Sequence, residues 1–242
     1  SVKRPDGSVV LENQFTRATN RPPILLPGMT PTTVETPIVA AAANAGYFAE
    51  LAGGGQVTEA IFRQRANELR AQLKPGEGYI VNTLYLDPYL WGLQVGKDRL
   101  VQKLRAEGHP ILGVTITAGI PPLEEALELL STFRGLGMHL NSLKVGNDDQ
   151  IRQALAIADA DDEGFILQVE GGKAGGHHSF DALDELLLTW YARIRRRSKL
   201  QLTVGGGIGT SERVRALLTG QWSTQYGRAP MPVDAVFLGT AL

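Results

Sequence analysis

Phe165-Ile166-Leu167-Gln168-Val169-Glu170-Gly171-Gly172-Lys173-Ala174-Gly175-Gly176-His177-His178-Ser179-Phe180-Asp181 passes from an apolar run into a loop with four glycines and two adjacent histidines. Ser179 and Asp181 then stand where the caps of a following helix belong. Glycine removes the Cβ wall and permits positive φ, so a loop this rich in it can lie close to a flat or anionic ligand. Glycine also marks ordinary turns, and on this stretch alone both readings stand.

The same succession of apolar strand, glycine turn and helix recurs along the chain. Ile24-Leu25-Leu26 ends at Pro27-Gly28-Met29-Thr30, before an alanine-rich helix from Val34 to Asn44 closed by Gly46. Tyr47 to Leu51 leads into Gly53-Gly54-Gly55 and a helix from Thr58 to Leu73. Tyr79 to Thr83 is followed by an aromatic segment, Leu84 to Gly96, read as a lid or substrate wall, and by a helix from Lys97 to Glu107. Ile111 to Thr117 precedes a helix from Leu123 to Phe133, and Leu140 to Val145, carrying Lys144, precedes one from Asp148 to Ala158. The opening stretch is the sixth strand, with a helix from Asp181 to Arg197. Leu200 to Val204 is the seventh, turning at Gly205-Gly206-Gly207-Ile208-Gly209 into a helix from Ser211 to Leu218. Gly220 to Pro232 reads as an irregular insertion before Ala235 to Leu238, the eighth strand.

Eight nearly continuous apolar strands, each but the last followed by a helix, predict a parallel sheet covered by helices. The economical closure is a (β/α)₈ TIM barrel, whose usual length is about 250 residues; this chain has 242. Residues 1–21 read as an entry linker or hairpin and 22–242 as the barrel. No helix follows the eighth strand, so the outer layer expects a flanking segment, and a chain running from Ser1 to Leu242 reads as part of a larger one.

Composition narrows the function. Lys+Arg 24 against Asp+Glu 25 leaves a net charge of -1, no field to recruit nucleic acid or an anionic membrane. There is no cysteine, which excludes disulfides, thiolate metal sites and cysteine nucleophiles. No apolar run approaches the roughly 20 residues of a membrane span. The expectation is a soluble, cytoplasmic protein that acts on a small molecule. Arg193, Arg195, Arg196 and Arg197 fall at a helix C-terminus, where cations suit the dipole, and read as a solvated helix end.

In a (β/α)₈ barrel the ligand lies at the C-terminal strand ends, with phosphate on the loops after the last two strands. Here those are Gly205, Gly206, Gly207 and Ile208, then Leu238, Gly239 and Thr240. The glycine spacing does not fit a dinucleotide-binding turn. Neighbouring His177 and His178 point to opposite sides of an extended chain and have no further ligands to complete a metal set, so no metal is expected; one of them can face a ligand as proton donor. His109 and His139 read as structural or surface residues. Lys144 has three readings: Schiff-base chemistry, stabilisation of an anion, or a snorkelling surface lysine. Thr30, Asn82 and Gln168 lie at strand ends, available to a polar ring or to one another.

Three motifs resemble the enoyl reductase domain of type I fatty acid synthases of the fungal and actinobacterial kind: Pro27-Gly28-Met29-Thr30-Pro31-Thr32-Thr33-Val34, Glu50-Leu51-Ala52-Gly53-Gly54-Gly55, and Gly171 through Ser179. Trp222-Ser223, Tyr226-Gly227 and Pro230-Met231-Pro232 fit the same family, and the similarity runs from about Pro22 to Leu242. The resemblance implies an FMN-containing barrel that uses NADPH to reduce the trans-2,3 double bond of an acyl chain carried on acyl carrier protein. It also implies other synthase domains as partners and homo-oligomerisation through the parent chain. Glu170 through His177 is similar to a Glu-Gly-x-x-x-Gly-Gly-His pattern of flavin enoyl reductases and nitronate monooxygenases, which makes His177 the carried-over catalytic residue. His178 matches the synthase branch only. The resemblance further implies FMN phosphate on the Gly205–Gly209 and Gly239-Thr240 amides, and the ring over Gly28, Gly53 and Gly54. Pro27, Met29, Thr30, Asn82, Gln168, Gly175 and Gly176 complete the cofactor site, with Lys144 beside the ring. Two rivals remain: a nitronate monooxygenase-like flavin oxidase, and a catalytically silent wall of a megasynthase.

Overall fold

The strands Ile24–Leu26 (β3), Phe48–Ala52 (β4), Tyr79–Leu84 (β5), Ile111–Thr117 (β6), Ser142–Val145 (β7), Ile166–Glu170 (β8), Gln201–Gly205 (β9) and Ala235–Phe237 (β10) close into a parallel barrel in the order β10-β3-β4-β5-β6-β7-β8-β9. A short antiparallel pair, Val2–Lys3 (β1) and Val9–Val10 (β2), precedes it. The structure is a computed structural model that describes residues 2–3, 7, 9–174 and 179–239. Helices Gln14–Thr19 (α1), Thr36–Asn44 (α2), Glu59–Gln72 (α3), Pro88–Gln94 (α4), Leu100–Ala106 (α5), Leu123–Gly135 (α6), Asp148–Ala160 (α7), Leu183–Arg195 (α8) and Ser211–Thr219 (α9) complete the described elements, with 3-10 turns at Gly53–Gly55 and Gln221–Tyr226. The protein is a (β/α)₈ TIM barrel. None of these helices is long and apolar enough to cross a membrane.

Alternation along the strands sorts the barrel interior into layers. The lowest is apolar, with Leu25, Phe48, Ile80, Ile166 and Ala235. Two residues further on, Glu50, Asn82 and Gln168 form a buried polar layer joined by Thr115 of β6. The outward positions, such as Leu51, Val81, Val169 and Val204, meet the helices.

The bottom of the barrel is closed by α1, a helix that the linker or hairpin expectation for residues 1–21 did not contain. Asn13 caps it reciprocally with Thr16 and also donates from Nδ2 to the carbonyl of Asp234 at 2.6 Å. Phe15 inserts beneath the lowest layer, fully buried, its ring 6.0 Å from that of Phe48.

Two other helices differ from the expectation. The segment Leu84 to Gly96 is not a continuous loop, because Asp87 accepts from the N–H groups of Tyr89 and Leu90 and Pro88 follows it, a favourable start for α4. The helix after β8 begins at Leu183, not Asp181: the Ser179 hydroxyl accepts from Asp181 N–H, a turn ahead of the helix, and Ala182 caps without a side-chain bond. Its basic end is not simply solvated. Arg195 pairs with buried Asp234 at 2.6 Å, Arg197 pairs with Asp159 at 2.5 Å, and the Arg193 guanidinium lies 4.9 Å from the Trp190 ring centre.

His109 is buried under α3, its Nδ1 3.3 Å from the carbonyl of Ala66; His139 is exposed. Burial holds the His109 pKa below its ordinary 6.5. The unfolded chain therefore takes up a proton before the folded one, so this site's contribution to stability is full above pH 6.5 and is lost as pH falls from there through the folded value. His109→Gln is expected to flatten that part of the stability–pH profile in chemical denaturation; a profile as steep as wild type would show that His109 does not cause it.

Candidate active site

At the C-terminal strand ends the loops enclose a cavity of about 340 Å³. Pro27, Gly28, Met29 and Thr30 form one wall, Gly54 and Asn82 a second, Lys144, Glu170 and Ala174 a third, and Gly206, Gly207, Ile208 and Gly239 the fourth. Segments more than a hundred residues apart in sequence thus converge on one space, because every βα turn of a parallel barrel opens on the same face.

Each wall is held from within the protein. The loop after β3 is stapled by buried Thr33, whose hydroxyl accepts from Met29 N–H at 2.7 Å while its own N–H donates to Met29 O at 2.7 Å. Gly28 N–H donates to the buried Glu50 carboxylate at 2.6 Å, and Asn82 Nδ2 donates to the same oxygen at 2.8 Å. The arms either side of residues 175–178 are tied by Gly172 N–H donating to Asp181 O at 2.8 Å, and Gly171 N–H anchors the first arm to the end of β9 by donating to Gly205 O at 3.0 Å. Gly206 (φ +102) and Gly207 (φ +73) adopt left-handed backbone, and a Cβ on Gly206 would stand 2.6 Å from Gly171 O. After them Thr210 caps α9, accepting from Arg213 N–H.

Among the described residues, Lys144 is the cation in the cavity wall. It is 7% exposed, its Nζ is 3.6 Å from Glu170 Oε1 and 5.0 Å from the centre of the Phe237 ring. Both neighbours attract positive charge, an arrangement suited to an ammonium group facing an anionic ligand. It is not a snorkelling surface lysine.

Not every predicted residue reaches this space. Gln168 is fully buried below it, and Gly53 and Gly205 serve the protein's own packing: a Cβ on Gly53 would stand 2.3 Å from Asn82 O, and one on Gly205 would enter the Phe237 ring. Leu238 faces outward and lines a separate apolar cleft with Leu11, Ile24, Val214 and Leu218, between α9 and β3. Of the aromatic segment, Leu84 lines the cavity, whereas Tyr85 stacks edge-on against Trp91 at 5.0 Å and Tyr89 donates to Val57 O. Gly175, Gly176, His177, His178 and Thr240 lie outside the described residues. No group of three metal-ligating side chains is present among the described residues. The residue that sequence reading missed is Glu50, quoted only within a motif; its signal was a carboxylate two positions from Phe48, on the same inward face of an apolar strand.

Gly53→Ala is expected to cost about 1–3 kcal/mol, the range for overpacking a filled site, because the Asn82 carbonyl and Gln94 Oε1 (2.6 Å from the new Cβ) would have to move. Urea denaturation reads this, and an unchanged midpoint would mean that the β5 end yields freely.

Comparison with known proteins agrees with this arrangement. The chain is 39% identical over 242 residues to the fatty acid synthase subunit beta of Saccharomyces cerevisiae and 38% identical over 242 residues to that of Schizosaccharomyces pombe, covering 99% and 100% of this chain. The likeness is to a segment of a fatty acid synthase β subunit. This chain spans 11% of the length of each of those relatives. The family model described as "Fatty acid synthase subunit beta/Fas1-like, helical" matches residues 164–242, a stretch that here holds β8, β9 and β10 as well as α8 and α9. Among solved structures, nitroalkane oxidase from Streptomyces ansochromogenes superposes with a TM-score of 0.62 at 22% identity, over 94% of this chain and 67% of that one. Tryptophan synthase from M. tuberculosis gives 0.57 at 18%, over 94% and 86%. At those identities the likeness is one of fold. The fatty acid synthase likeness, by contrast, spans all the cavity walls.

Proposed function

We propose that this barrel is an FMN-dependent enoyl reductase, one segment of a larger fatty acid synthase chain, which uses NADPH to saturate trans-2-enoyl groups carried on acyl carrier protein. The observation that carries the reading is the convergence of three sequence-distant motif segments and one buried lysine on a single cavity at the strand ends. The residues suit FMN. Bare glycine walls at Gly28 and Gly54 admit a flat ring, Met29, Leu84, Ile208 and Phe237 supply apolar surface, and the polar groups are few and specific.

Bound FMN would supply the hydride carrier between nicotinamide and the enoyl carbon. The chain's residues supply the rest. The Gly206-Gly207 backbone would offer N–H groups to a phosphate. Lys144 would offset negative charge on the bound group, with Glu170 3.6 Å from its ammonium. Asn82 and Thr30, which line the cavity, would hydrogen-bond polar groups of the cofactor. His177 would deliver the proton that the α-carbon requires, with His178 in a supporting role. Contacts with other domains of the synthase, and self-association, would come through the longer chain.

The test is a paired assay of the purified protein. NADPH consumption that depends on an enoyl thioester supports the reading. Oxygen uptake that depends on a nitronate, without enoyl-dependent NADPH consumption, would assign the oxidase chemistry instead.

A further inference from the structure

Beneath the cavity floor sits a charge that the proposed chemistry does not use. Glu50 is fully buried, and its two oxygens accept four hydrogen bonds: Oε1 from Thr115 Oγ1 at 2.7 Å and Gln168 Nε2 at 2.8 Å, Oε2 from Gly28 N–H at 2.6 Å and Asn82 Nδ2 at 2.8 Å. Branched apolar residues usually fill the interior of such a barrel. A buried carboxylate is expensive to desolvate, and an apolar replacement of similar volume is often as stable. Its effect on the groups around it is therefore the informative property.

A carboxylate without a proton only accepts, so each side-chain amide beside it must turn its NH₂ inward. Gln168 does so even though this leaves its Oε1 buried with no hydrogen-bond partner. Asn82 does the same, and it lines the cavity. With one Nδ2 proton committed to Glu50, the amide plane is fixed, and Asn82 holds its acceptor Oδ1 in a set direction, with the second N–H of the same NH₂ beside it. Gly28, the neighbouring wall residue, has its N–H committed to the same carboxylate.

We propose that Glu50 is a positioning residue for the cofactor site. By pinning the Asn82 amide and the Gly28 N–H from below, it holds Asn82 Oδ1 as a fixed acceptor at this wall and withdraws the Gly28 donor, and so favours a ligand edge that carries N–H or O–H. The inference rests on the FMN reading for its ligand, whose ring imide and ribityl hydroxyls are donors of that kind; the pinning of Asn82 does not depend on it.

Two measurements on the protein separate the two claims. In the cofactor-free protein, Asn82 side-chain NH₂ protons are expected to exchange with solvent at least about 10-fold more slowly than those of exposed Asn67, and Glu50→Gln is expected to remove that protection. In FMN titrations, Glu50→Gln and Asn82→Ala are each expected to weaken binding about 10-fold, roughly one hydrogen bond, and the double variant no more than either alone. Thr115→Val, which takes a donor from the same carboxylate away from the cavity, is expected to stay within about 2-fold, less than one such bond. Asn82 protons that exchange as fast as those of Asn67, or wild-type affinity in Glu50→Gln, would overturn the proposal. Should Glu50→Gln fail to fold, the Asn67 comparison in the wild-type protein still decides. No FMN binding by the wild-type protein, with Asn82 protected, would remove the cofactor reading and leave the positioning role.

Discussion

His177→Ala is expected to leave reduction of the bound flavin by NADPH at its wild-type rate and to slow reoxidation by an enoyl thioester about 10²–10⁴-fold, the contribution of a positioned proton donor. The asymmetry is the point. Hydride addition to the β-carbon builds negative charge toward the thioester oxygen, and the reaction completes only when the α-carbon receives a proton. Transfer from nicotinamide needs no such proton, so a residue acting as donor is silent in that half. Stopped-flow absorbance under anaerobic conditions separates the halves. Equal wild-type rates in both would take His177 out of the chemistry, and equal slowing of both would make it a binding residue. His178→Ala, run beside it, is expected to give the smaller effect.

Lys144→Met should act on the other charge. The lysine is buried in the cavity wall between Glu170 and the Phe237 ring, where an unbranched methionine can occupy the same space without a cation. What is lost is a preorganised positive charge, worth about 2.7–4 kcal/mol for one well-aimed donor. Substrate turnover is expected to fall about 10²-fold or more. The two-electron potential of bound flavin is expected to drop by about 60–90 mV, since about 30 mV corresponds to 1.4 kcal/mol. Glu170, left facing the site, pushes in the same direction. A potential unchanged from wild type would assign Lys144 to packing alone.

The barrel was legible in the sequence because most strands are followed within two residues by glycine, and because parallel strands buried on both faces read as apolar runs. Ile111–Thr117 and Tyr79–Leu84 stand out for that reason. α1 did not: six residues around one phenylalanine carry no periodicity, and what fixes them is Phe15 docking under the barrel, a tertiary contact. α4 carried a local signal, Asp87-Pro88 as cap and first residue, that its aromatic content masked.

The site was legible as a location and less so as a network. Motif order and the rule that barrel ligands sit at the C-terminal strand ends suffice to gather Gly28, Thr30, Gly54, Asn82, Lys144, Gly206 and Gly207. The glycines, however, were read as space for a ligand, whereas Gly53 and Gly205 make space for Asn82 and Phe237. Leu238 follows inward-facing Phe237 and therefore points out, a consequence of strand alternation available from the sequence. Glu50 was hidden for a different reason: its partners come from the loop after the first barrel strand and from the third, fourth and sixth strands, and only closure of the barrel brings them together.

The most direct test is an absorbance spectrum of the purified protein, taken anaerobically before NADPH, after NADPH, and after a trans-2-enoyl thioester. An oxidised flavin band that bleaches with NADPH and returns with the enoyl thioester, with saturated thioester formed in equal amount, is the predicted result. A protein that holds FMN yet recovers its band only when oxygen is admitted would contradict the account.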